Sequence, residues 1–281
     1  MIRILTDSTA DFSMADAAAL GVAVVPLTVS FGDAHYQDGI DLPLERFYDM
    51  LAAADKLPTT SQPSPEQFLS EFEQAKQAGD EVVCITLSGE LSGTLQSAMI
   101  AREDAGYAPI HIVDSRNVTL AEQLLVRRAC HLAAAGLTAA DIAQELEAAR
   151  GRIRLLAIVD TLKYLHKGGR LSGAAALAGG LLGVKPVVGI TDGKLGMLGK
   201  ARGMAGAYVA LFKLIEEQGG IDEAEPCFVG YTGSRAQAAP FVRFVTQNLG
   251  LEKPPVMPIG TVIGTHAGPG AAGIAFFAKE V

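Results

Sequence analysis

The fold of this 281-residue chain is decided by the stretch VVCITLSGELSGT at residues 82–94. Its first part, residues 82–87, is a continuous apolar run, which is typical of a strand buried on both faces of a parallel sheet. Glycines and hydroxyls follow, and a helix-compatible stretch begins at Thr94. The pattern predicts a strand, a tight turn and a helix start, with Ser92 as the N-cap. A helix N-terminus offers unpaired backbone N–H groups, so this turn is a candidate anion site.

Strand-like and helix-like runs alternate in the same way up to about residue 160. Strands are predicted at residues 3–6, 22–30, 81–87, 110–113 and 155–159. Helices are predicted around residues 14–20, 44–54, 65–78, 94–105, 120–135 and 139–150. Ser64, Pro65 and Gln67 mark a helix start with a capping box, and Thr138 with Asp141 repeats the device. We therefore predict an N-terminal three-layer α/β/α domain over residues 1–160, with a mostly parallel sheet.

The pattern changes after residue 160. Asp192-Gly193 separates two strand-like runs, residues 187–191 and 194–198, and predicts a tight antiparallel hairpin. Further strands are predicted at residues 227–231, 256–259 and 261–263, and helices at residues 204–218, 236–249 and 270–279. We predict a C-terminal α/β domain with a mixed sheet over residues 161–281, joined to the first by a linker near residues 160–170.

Composition excludes several classes of function. The formal net charge of −8 disfavours nucleic-acid binding, which needs a basic face. The three cysteines are far apart, and the histidines show no metal-ligand spacing, so we assign neither a metal nor a disulfide. The opening MIRILTD reaches an acid too early for a signal peptide, and residues 171–184 are too short to span a bilayer. We expect a cytoplasmic protein without an integral membrane segment, although transient membrane contact stays open.

The sequence does not support a nucleotide-binding site at a glycine-rich motif. GPGAAG at residues 268–273 formally matches the dinucleotide fingerprint, but residues 274–281 leave no room for the helix, strand and acidic residue that must follow. No GxxxxGK[ST] loop is present in the sequence. We therefore expect no cofactor.

A second hydroxyl-rich segment, PTTSQPS at residues 58–64, complements the first. Its flanking prolines favour an extended loop around Thr60 and Ser61. Loops at the carboxyl ends of strands converge on one crevice in open α/β sheets, so the two loops are candidates for one site. Because their side chains are neutral hydroxyls rather than lysines, a single carboxylate suits them better than a polyphosphate.

Ser92 and His266 allow three readings. Ser92 could be a helix cap, a hydrogen-bond donor to a bound acid, or the nucleophile of a serine esterase with His266, although the spacing departs from GxSxG. His266 is predicted in a glycine-rich turn before the last helix. A triad would also need an orienting acid, for which strand ends offer the candidates Asp7, Asp38, Asp114 and Asp160.

The segment KYLHKGGRLSG at residues 163–173 is basic and then abruptly small and apolar. It fits either a linker with solvated charges or a cationic rim beside an apolar wall. The sequence by itself leaves these two readings open.

Taken together, these segments resemble the DegV family of bacterial fatty-acid-binding proteins over essentially the whole chain. The resemblance rests on the joint order of several short motifs, each weak alone. They are TDSTAD at 6–11, TSQPS at 60–64, LSGT at 91–94, QSA at 96–98, VDS at 113–115, TLKYL at 161–165, GGR at 168–170, KP at 185–186, KAR at 200–202 and THAGPG at 265–270.

The resemblance implies a lipid carrier without turnover of its own. It implies two α/β domains with a long-chain fatty acid buried between or beneath them, and a carboxylate held by hydroxyls matching Thr60 and Ser92, with His266 nearby. We include the adjacent Ser61 and Gly93 in this carboxylate site. In better-understood members the carrier presents its fatty acid to a separate ATP-dependent fatty acid kinase, which forms an acyl phosphate. Residues matching Arg170 and Arg202 lie toward the mouth where the phosphate or the partner arrives.

One departure from the family pattern follows VDS. Residues 120–123 read LAEQ, where the family usually has small residues or glycine. This change bears on the lipid tunnel, so the preferred chain length and unsaturation stay open. The alternatives to a carrier are the serine esterase or thioesterase with Ser92 and His266, and a purely regulatory or structural binding module.

Overall fold

The computed structural model describes residues 1–171, 183–251 and 253–280. Most of the small, apolar segment predicted beside the cationic rim, residues 172–182, lies outside these ranges. Within them the strands are β1 (Ile2–Asp7), β2 (Val22–Val25), β3 (Thr28–Phe31), β4 (Ala34–Gln37), β5 (Thr59–Ser61), β6 (Glu81–Thr86), β7 (Ile110–Asp114), β8 (Ile153–Ile158), β9 (Val184–Thr191), β10 (Lys194–Arg202), β11 (Phe228–Tyr231), β12 (Val256–Pro258) and β13 (Ala272–Phe277).

The helices of the described ranges follow the predicted positions closely up to residue 160. They are α1 (Met14–Leu20), α2 (Leu44–Ala53), α3 (Pro65–Ala78), α4 (Thr94–Ala105), α5 (Leu120–Ala134), α6 (Ala139–Ala149), α7 (Lys163–Lys167), α8 (Gly203–Glu217), α9 (Arg235–Asn248) and α10 (Thr261–Ala267). Short 3₁₀ turns lie at Ser8–Ala10 and Arg150–Arg152.

The chain divides into two compact units. The first comprises Met1–Leu42 and Thr60–Gly151, and the second comprises Pro43–Thr59 and the chain from Arg152 onward. This division differs from the predicted domains 1–160 and 161–281 in two places. β8 pairs with β9 and β13, so it belongs to the second sheet. The segment carrying α2 also joins the second unit, where Phe47 and Tyr48 lie against Gly264 of α10.

The first unit is built on a parallel sheet with the order β2-β1-β6-β7, as predicted. α3 and α4 pack with Leu5 and Cys84 through side chains that include Phe68 and Phe72, all fully or almost fully buried. α5 and α6 contact the same strands, and successive strand residues point to opposite faces. The predicted three-layer α/β/α arrangement is therefore confirmed.

Helix ends in this unit test the capping predictions. The box at the start of α3 is present, and the backbone N–H of Ser64 donates to Oε1 of Gln67 at 2.9 Å. Thr138 caps α6 by accepting from the backbone N–H of Asp141. The prediction for α4 is wrong by one residue, because Gly93 is the N-cap and makes no side-chain cap bond.

The strand predicted at residues 22–30 is two strands. β2 pairs in parallel with β1, whereas β3 pairs antiparallel with β4 in a small separate sheet of order β4-β3-β5. Pro26 lies between them and has no N–H group for a ladder, which explains why pairing with β1 stops there.

The second unit carries a mixed sheet with the order β10-β9-β8-β13-β11-β12. β11 and β12 are parallel and the other neighbours are antiparallel. The hairpin at Asp192-Gly193 is confirmed, with φ of 49° and 79° at the two turn residues. α8 and α9 cover the sheet through Leu211, Ile215 and Phe241.

Two predictions near the C-terminus are wrong. Residues 261–263 were expected as a strand but begin helix α10, and residues 270–279 were expected as a helix but form strand β13. β13 lies inside the sheet and every residue of it is buried. Such a strand is apolar throughout, so it lacks the alternation that separates a strand from a short buried helix.

Candidate functional site

The Ser88–Thr94 loop joins β6 to α4 and carries the predicted serine. The backbone N–H of Ser92 donates to the carbonyl of Ser88 at 3.2 Å, which closes a turn. Its Oγ lies 2.9 Å from Oγ1 of the buried Thr94. Ser92 itself is half-buried, and Gly93 caps the helix. A hydroxyl and the first N–H groups of α4 therefore lie together, and both are donors for an anion.

Gln62 joins this loop to the second hydroxyl segment. It follows directly after β5, in which Thr60 is half-buried and Ser61 is exposed. The side-chain amide of Gln62 donates to the carbonyl of Gly93 at 3.1 Å and to Oγ of Ser97 at 2.9 Å. The two hydroxyl segments thus lie side by side in the first unit.

Sequence reasoning did not assign Gln62 a role. Its neighbours Ser61 and Pro63 mark a loop, and no local pattern says which distant groups its amide meets. Glycine at position 93 makes the contact feasible, because a Cβ there would lie 2.7 Å from Nε2 and 2.8 Å from Cδ of Gln62. Gly93 therefore leaves room for the end of the Gln62 side chain, and its own φ of −75° is ordinary.

Two buried carboxyls, those of Asp7 and Glu122, lie in the same unit as the Ser88–Thr94 loop. Asp7 ends β1 and accepts the backbone N–H of Leu87 at 2.8 Å. Glu122 lies in the first turn of α5 and has no exposed surface. Burial raises the pKa of Asp7 to about 6 and raises the pKa of Glu122 well above its ordinary value. The sequence offered Asp7 only as a candidate orienting acid and Glu122 only as a departure from a family pattern.

His266 belongs to the second unit and lies near the end of α10, not in the predicted turn before a final helix. Gly168 lies against its ring, since a Cβ at Gly168 would be 3.0 Å from Cε1 of the imidazole. Burial, and secondarily the positive charge of Arg170, lower the pKa of His266 to about 4. The imidazole is therefore neutral at pH 7 and has one N–H to donate.

The two predicted rim cations also lie in the second unit. Arg170 follows α7, is half-buried and donates from a terminal guanidinium nitrogen to the carbonyl of Gly168 at 2.8 Å. Arg202 ends β10 at an exposed position, immediately before α8. Gly168 thus contacts both His266 and Arg170, which places these two predicted residues next to each other.

Three further features of the described ranges bear on metal, dinucleotide and membrane chemistry. The histidine, cysteine and acidic side chains described there form no grouping that could hold a metal ion. GPGAAG leads into β13 and not into the helix that a dinucleotide site requires. Among the described helices, none has the length and apolarity needed to cross a bilayer.

The sequence matches one protein-family model over residues 1–279, described as "Uncharacterised protein, DegV family". This chain belongs to the DegV family. A DegV domain-containing protein of Deinococcus radiodurans is 39% identical over 278 residues, covering 98% of this chain and 97% of that protein. The family resemblance seen in the motifs is thereby confirmed.

Solved DegV structures have the same fold. A fatty acid-binding DegV family protein from Thermus thermophilus superposes on this chain with a TM-score of 0.89. The two sequences are 33% identical, and the match covers 99% of both chains. A stearic acid-binding protein from Eubacterium ventriosum gives a TM-score of 0.89 at 30% identity, again over 99% of both chains. DegV of Bacillus subtilis, a fatty acid binding protein, gives 0.85 at 31% identity with the same coverage.

Proposed function

We propose that this protein binds a long-chain fatty acid in a buried apolar tunnel and presents it to a separate ATP-dependent fatty acid kinase. The observation that carries the binding part is the whole-length similarity to DegV proteins of Thermus thermophilus and Eubacterium ventriosum that bind fatty acids. We propose further that the protein is a carrier and catalyses no reaction itself. The location we propose is the cytoplasm.

The carboxylate head group is proposed to be held by neutral donors. In the first unit these are Thr60, Ser61, Ser92 and the backbone at Gly93, where a hydroxyl meets the first N–H groups of α4. Hydrogen bonds to a charged acceptor are worth about 1.5–3 kcal/mol each. Neutral His266 is a fifth donor in this proposal, and its lowered pKa means that it binds without forming an ion pair.

The tail is proposed to supply most of the affinity. A long-chain acid with about fifteen methylenes gains about 0.8 kcal/mol for each one buried, or about 12 kcal/mol before the costs of binding. Hydrophobic residues make up 49% of this chain, whereas the proposed head-group donors are few. This division of labour leaves orientation, rather than affinity, to the hydroxyls.

Neutral donors also suit transfer to a kinase. A lysine bound to the carboxylate would reduce its nucleophilicity toward ATP, whereas hydroxyls hold it and tolerate the added charge of an acyl phosphate. That extra charge is stabilised by nearby cations, a role that we propose for Arg170 and Arg202. A kinase-coupled assay checks this step, because Arg202→Gln should slow acyl-phosphate formation without releasing the bound acid.

The binding proposal is tested by mass spectrometry of the purified protein after denaturation. We expect a long-chain fatty acid in near-stoichiometric amount. Thr60→Ala and Ser92→Ala should each lower lipid retention about tenfold through the loss of a charge-assisted hydrogen bond, with the melting temperature of the lipid-free protein unchanged. Ser70→Ala, an exposed serine of α3, is the matched control.

Lipid-free protein that also ignores added fatty acid would contradict the proposal and favour a regulatory or structural module. A fluorophosphonate probe separates the carrier from an esterase. Covalent labelling of Ser92 that depends on His266 would contradict the carrier function and indicate a serine hydrolase.

A further inference from the structure

Asp7 and Glu122 form a buried carboxyl pair that the proposed function does not use. The two side chains come from β1 and α5 and have no exposed surface. The hydroxyl of Thr9 lies between them, 2.6 Å from Oδ1 of Asp7 and 3.0 Å from Oε2 of Glu122. Both distances are those of hydrogen bonds.

A count of protons shows that this arrangement needs a neutral carboxyl group. The Thr9 hydroxyl has one proton and can donate it to one of the two acids. If both were ionised, the other contact would bring two oxygens together with no proton between them, away from water. We propose that Glu122 is a protonated, neutral acid that donates through Oε2 to Thr9, while Thr9 donates to an ionised Asp7.

The remaining contacts decide which of the two acids carries the charge. Asp7 accepts from the backbone N–H of Thr9 at 3.0 Å and from that of Leu87 at 2.8 Å, in addition to the Thr9 hydroxyl. Several N–H donors on one carboxylate stabilise its charged form. Glu122 contacts hydroxyls, accepting at Oε1 from Thr6 at 3.1 Å. This pattern fits a carboxylic acid whose carbonyl oxygen accepts and whose hydroxyl donates.

The electrostatic surroundings agree with this assignment. Among the described residues, Asp38 acts electrostatically on Asp7 and Asp11 acts on Glu122. Burial and then the two carboxyls raise the pKa of the nearby Cys84 thiol, which stays neutral beside them. Negative charge on either aspartate opposes a second charge in the pair. Burial raises the pKa of Asp7 to about 6, and burial together with the charge of Asp7 raises the pKa of Glu122 well above its ordinary value. Both directions agree with the neutral Glu122 that the hydrogen bonds require.

This hydrogen-bonded chain makes Glu122 a positioning residue for the Ser88–Thr94 loop. α5 is held in place because the Thr119 hydroxyl donates to Asp11 at 2.5 Å and the Gln123 amide donates to the carbonyl of Ala10 at 2.9 Å. From α5, Glu122 orients Thr9, and Thr9 orients Asp7. Asp7 then holds the N–H of Leu87, immediately before the loop. Only the step from loop position to lipid retention rests on the proposed function.

Two variants of Glu122 test its protonation state. Glu122→Gln retains a donor toward Thr9 and an acceptor toward Thr6, so the midpoint of urea unfolding at pH 7.5 should match the wild type. Glu122→Met has a similar length but no donor. Its folded-to-unfolded ratio should fall about tenfold, because buried oxygens lose their partner. In the full-length protein at pH 7.5, lipid retention should follow the same order.

Asp7→Asn tests the other half of the assignment. Its amide would turn an N–H group toward the N–H of Leu87 or of Thr9, so the folded-to-unfolded ratio should fall about a hundredfold. Tolerance of Asp7→Asn together with damage by Glu122→Gln would place the charge on Glu122 and overturn the proposal. Equal damage by Glu122→Gln and Glu122→Met would also overturn it.

Infrared difference spectroscopy provides a readout that a purely structural role would not change. The wild type at pH 7.5 should show the carbonyl band of a protonated carboxylic acid, and Glu122→Gln should remove that band. Absence of the band from the wild type overturns the proposal even if every variant folds. Because this measurement needs no ligand, it stays valid if the protein binds no fatty acid, so failure of the proposed function is recognised separately.

Discussion

Because His266 is neutral in the folded protein, we expect acid to destabilise the fold at this residue. Its pKa is lowered from 6.5 to about 4, first by burial and second by the charge of Arg170. Between these values the unfolded chain binds a proton that the folded chain does not. One pKa unit is worth about 1.4 kcal/mol, so acidification from pH 7 to pH 4 should cost the folded state about 3 kcal/mol at this residue.

The sign of this effect follows from the direction of the shift. At pH 7 the imidazole is neutral in the folded state and mostly neutral in the unfolded state, so it contributes little pH dependence there. As the pH falls below 6.5, the unfolded state gains a proton first, so unfolding becomes more favourable. His266→Gln removes this contribution. We therefore expect the variant to gain up to about 3 kcal/mol over the wild type between pH 7 and pH 4.

Urea denaturation of lipid-free protein at several pH values measures this difference. Comparison with the variant cancels the contributions of other groups, including Asp7, whose raised pKa acts in the opposite direction. His166→Gln, at an exposed position of α7, controls for the loss of an imidazole. The reasoning would be refuted if the free energy of unfolding varied with pH in the same way for the wild type and His266→Gln. It would also be refuted if NMR gave His266 a pKa near 6.5. Arg170→Gln should raise the pKa of His266 while leaving it below 6.5, since burial is the larger cause.

Three further predictions concern packing. Gly93→Ala should displace the Gln62 amide and weaken lipid retention several-fold with little loss of stability, because the blocking atoms end a flexible side chain; unchanged retention would show that this bridge is dispensable. Gly268→Ala should destabilise the protein by at least about 2 kcal/mol in a denaturant titration, because φ is 72° and the new Cβ would meet the ring of Tyr164; a neutral result would mean that the ring moves freely. Phe276→Ala should cost about 3–5 kcal/mol, as expected for a fully buried ring of β13, whereas a loss under 1 kcal/mol would argue against a central strand there.

Local signals in the sequence were sufficient for much of the first unit. The box at Ser64 and Gln67 is complete within four residues, and it marks the start of α3 correctly. The apolar run at residues 82–87 predicted a buried parallel strand, and β6 is one. In the second unit, the Asp192-Gly193 turn requires positive φ at both positions, which few dipeptides accept. The sequence therefore predicted this hairpin correctly as well.

The secondary structure of short apolar segments without such signals could not be predicted from the sequence. Residues 270–279 contain glycines, alanines and two phenylalanines, and these fit a small helix as well as a strand. Pairing of β13 with β8 and β11 decides between them, and those partners lie far away in the sequence. The same reason explains why residues 43–59 join the second unit.

The family motifs placed Thr60, Ser92 and His266 among the candidates for a lipid head-group site, and their roles stay predictions. The amide of Gln62 and the shared hydroxyl between Asp7 and Glu122 had no comparable signal.

The amino-acid sequence by itself determined the fold class, the family, the helices up to residue 150, the strands β1, β6 and β7 and the DG hairpin, because caps, turns and periodicity act over a few residues. Only the tertiary structure decided the identity of the last strand, the bridge between the hydroxyl segments and the buried carboxyl pair. Each of these depends on groups brought within hydrogen-bonding or packing distance across 30 to more than 100 residues of chain. Spacing along the sequence carries no information about such contacts.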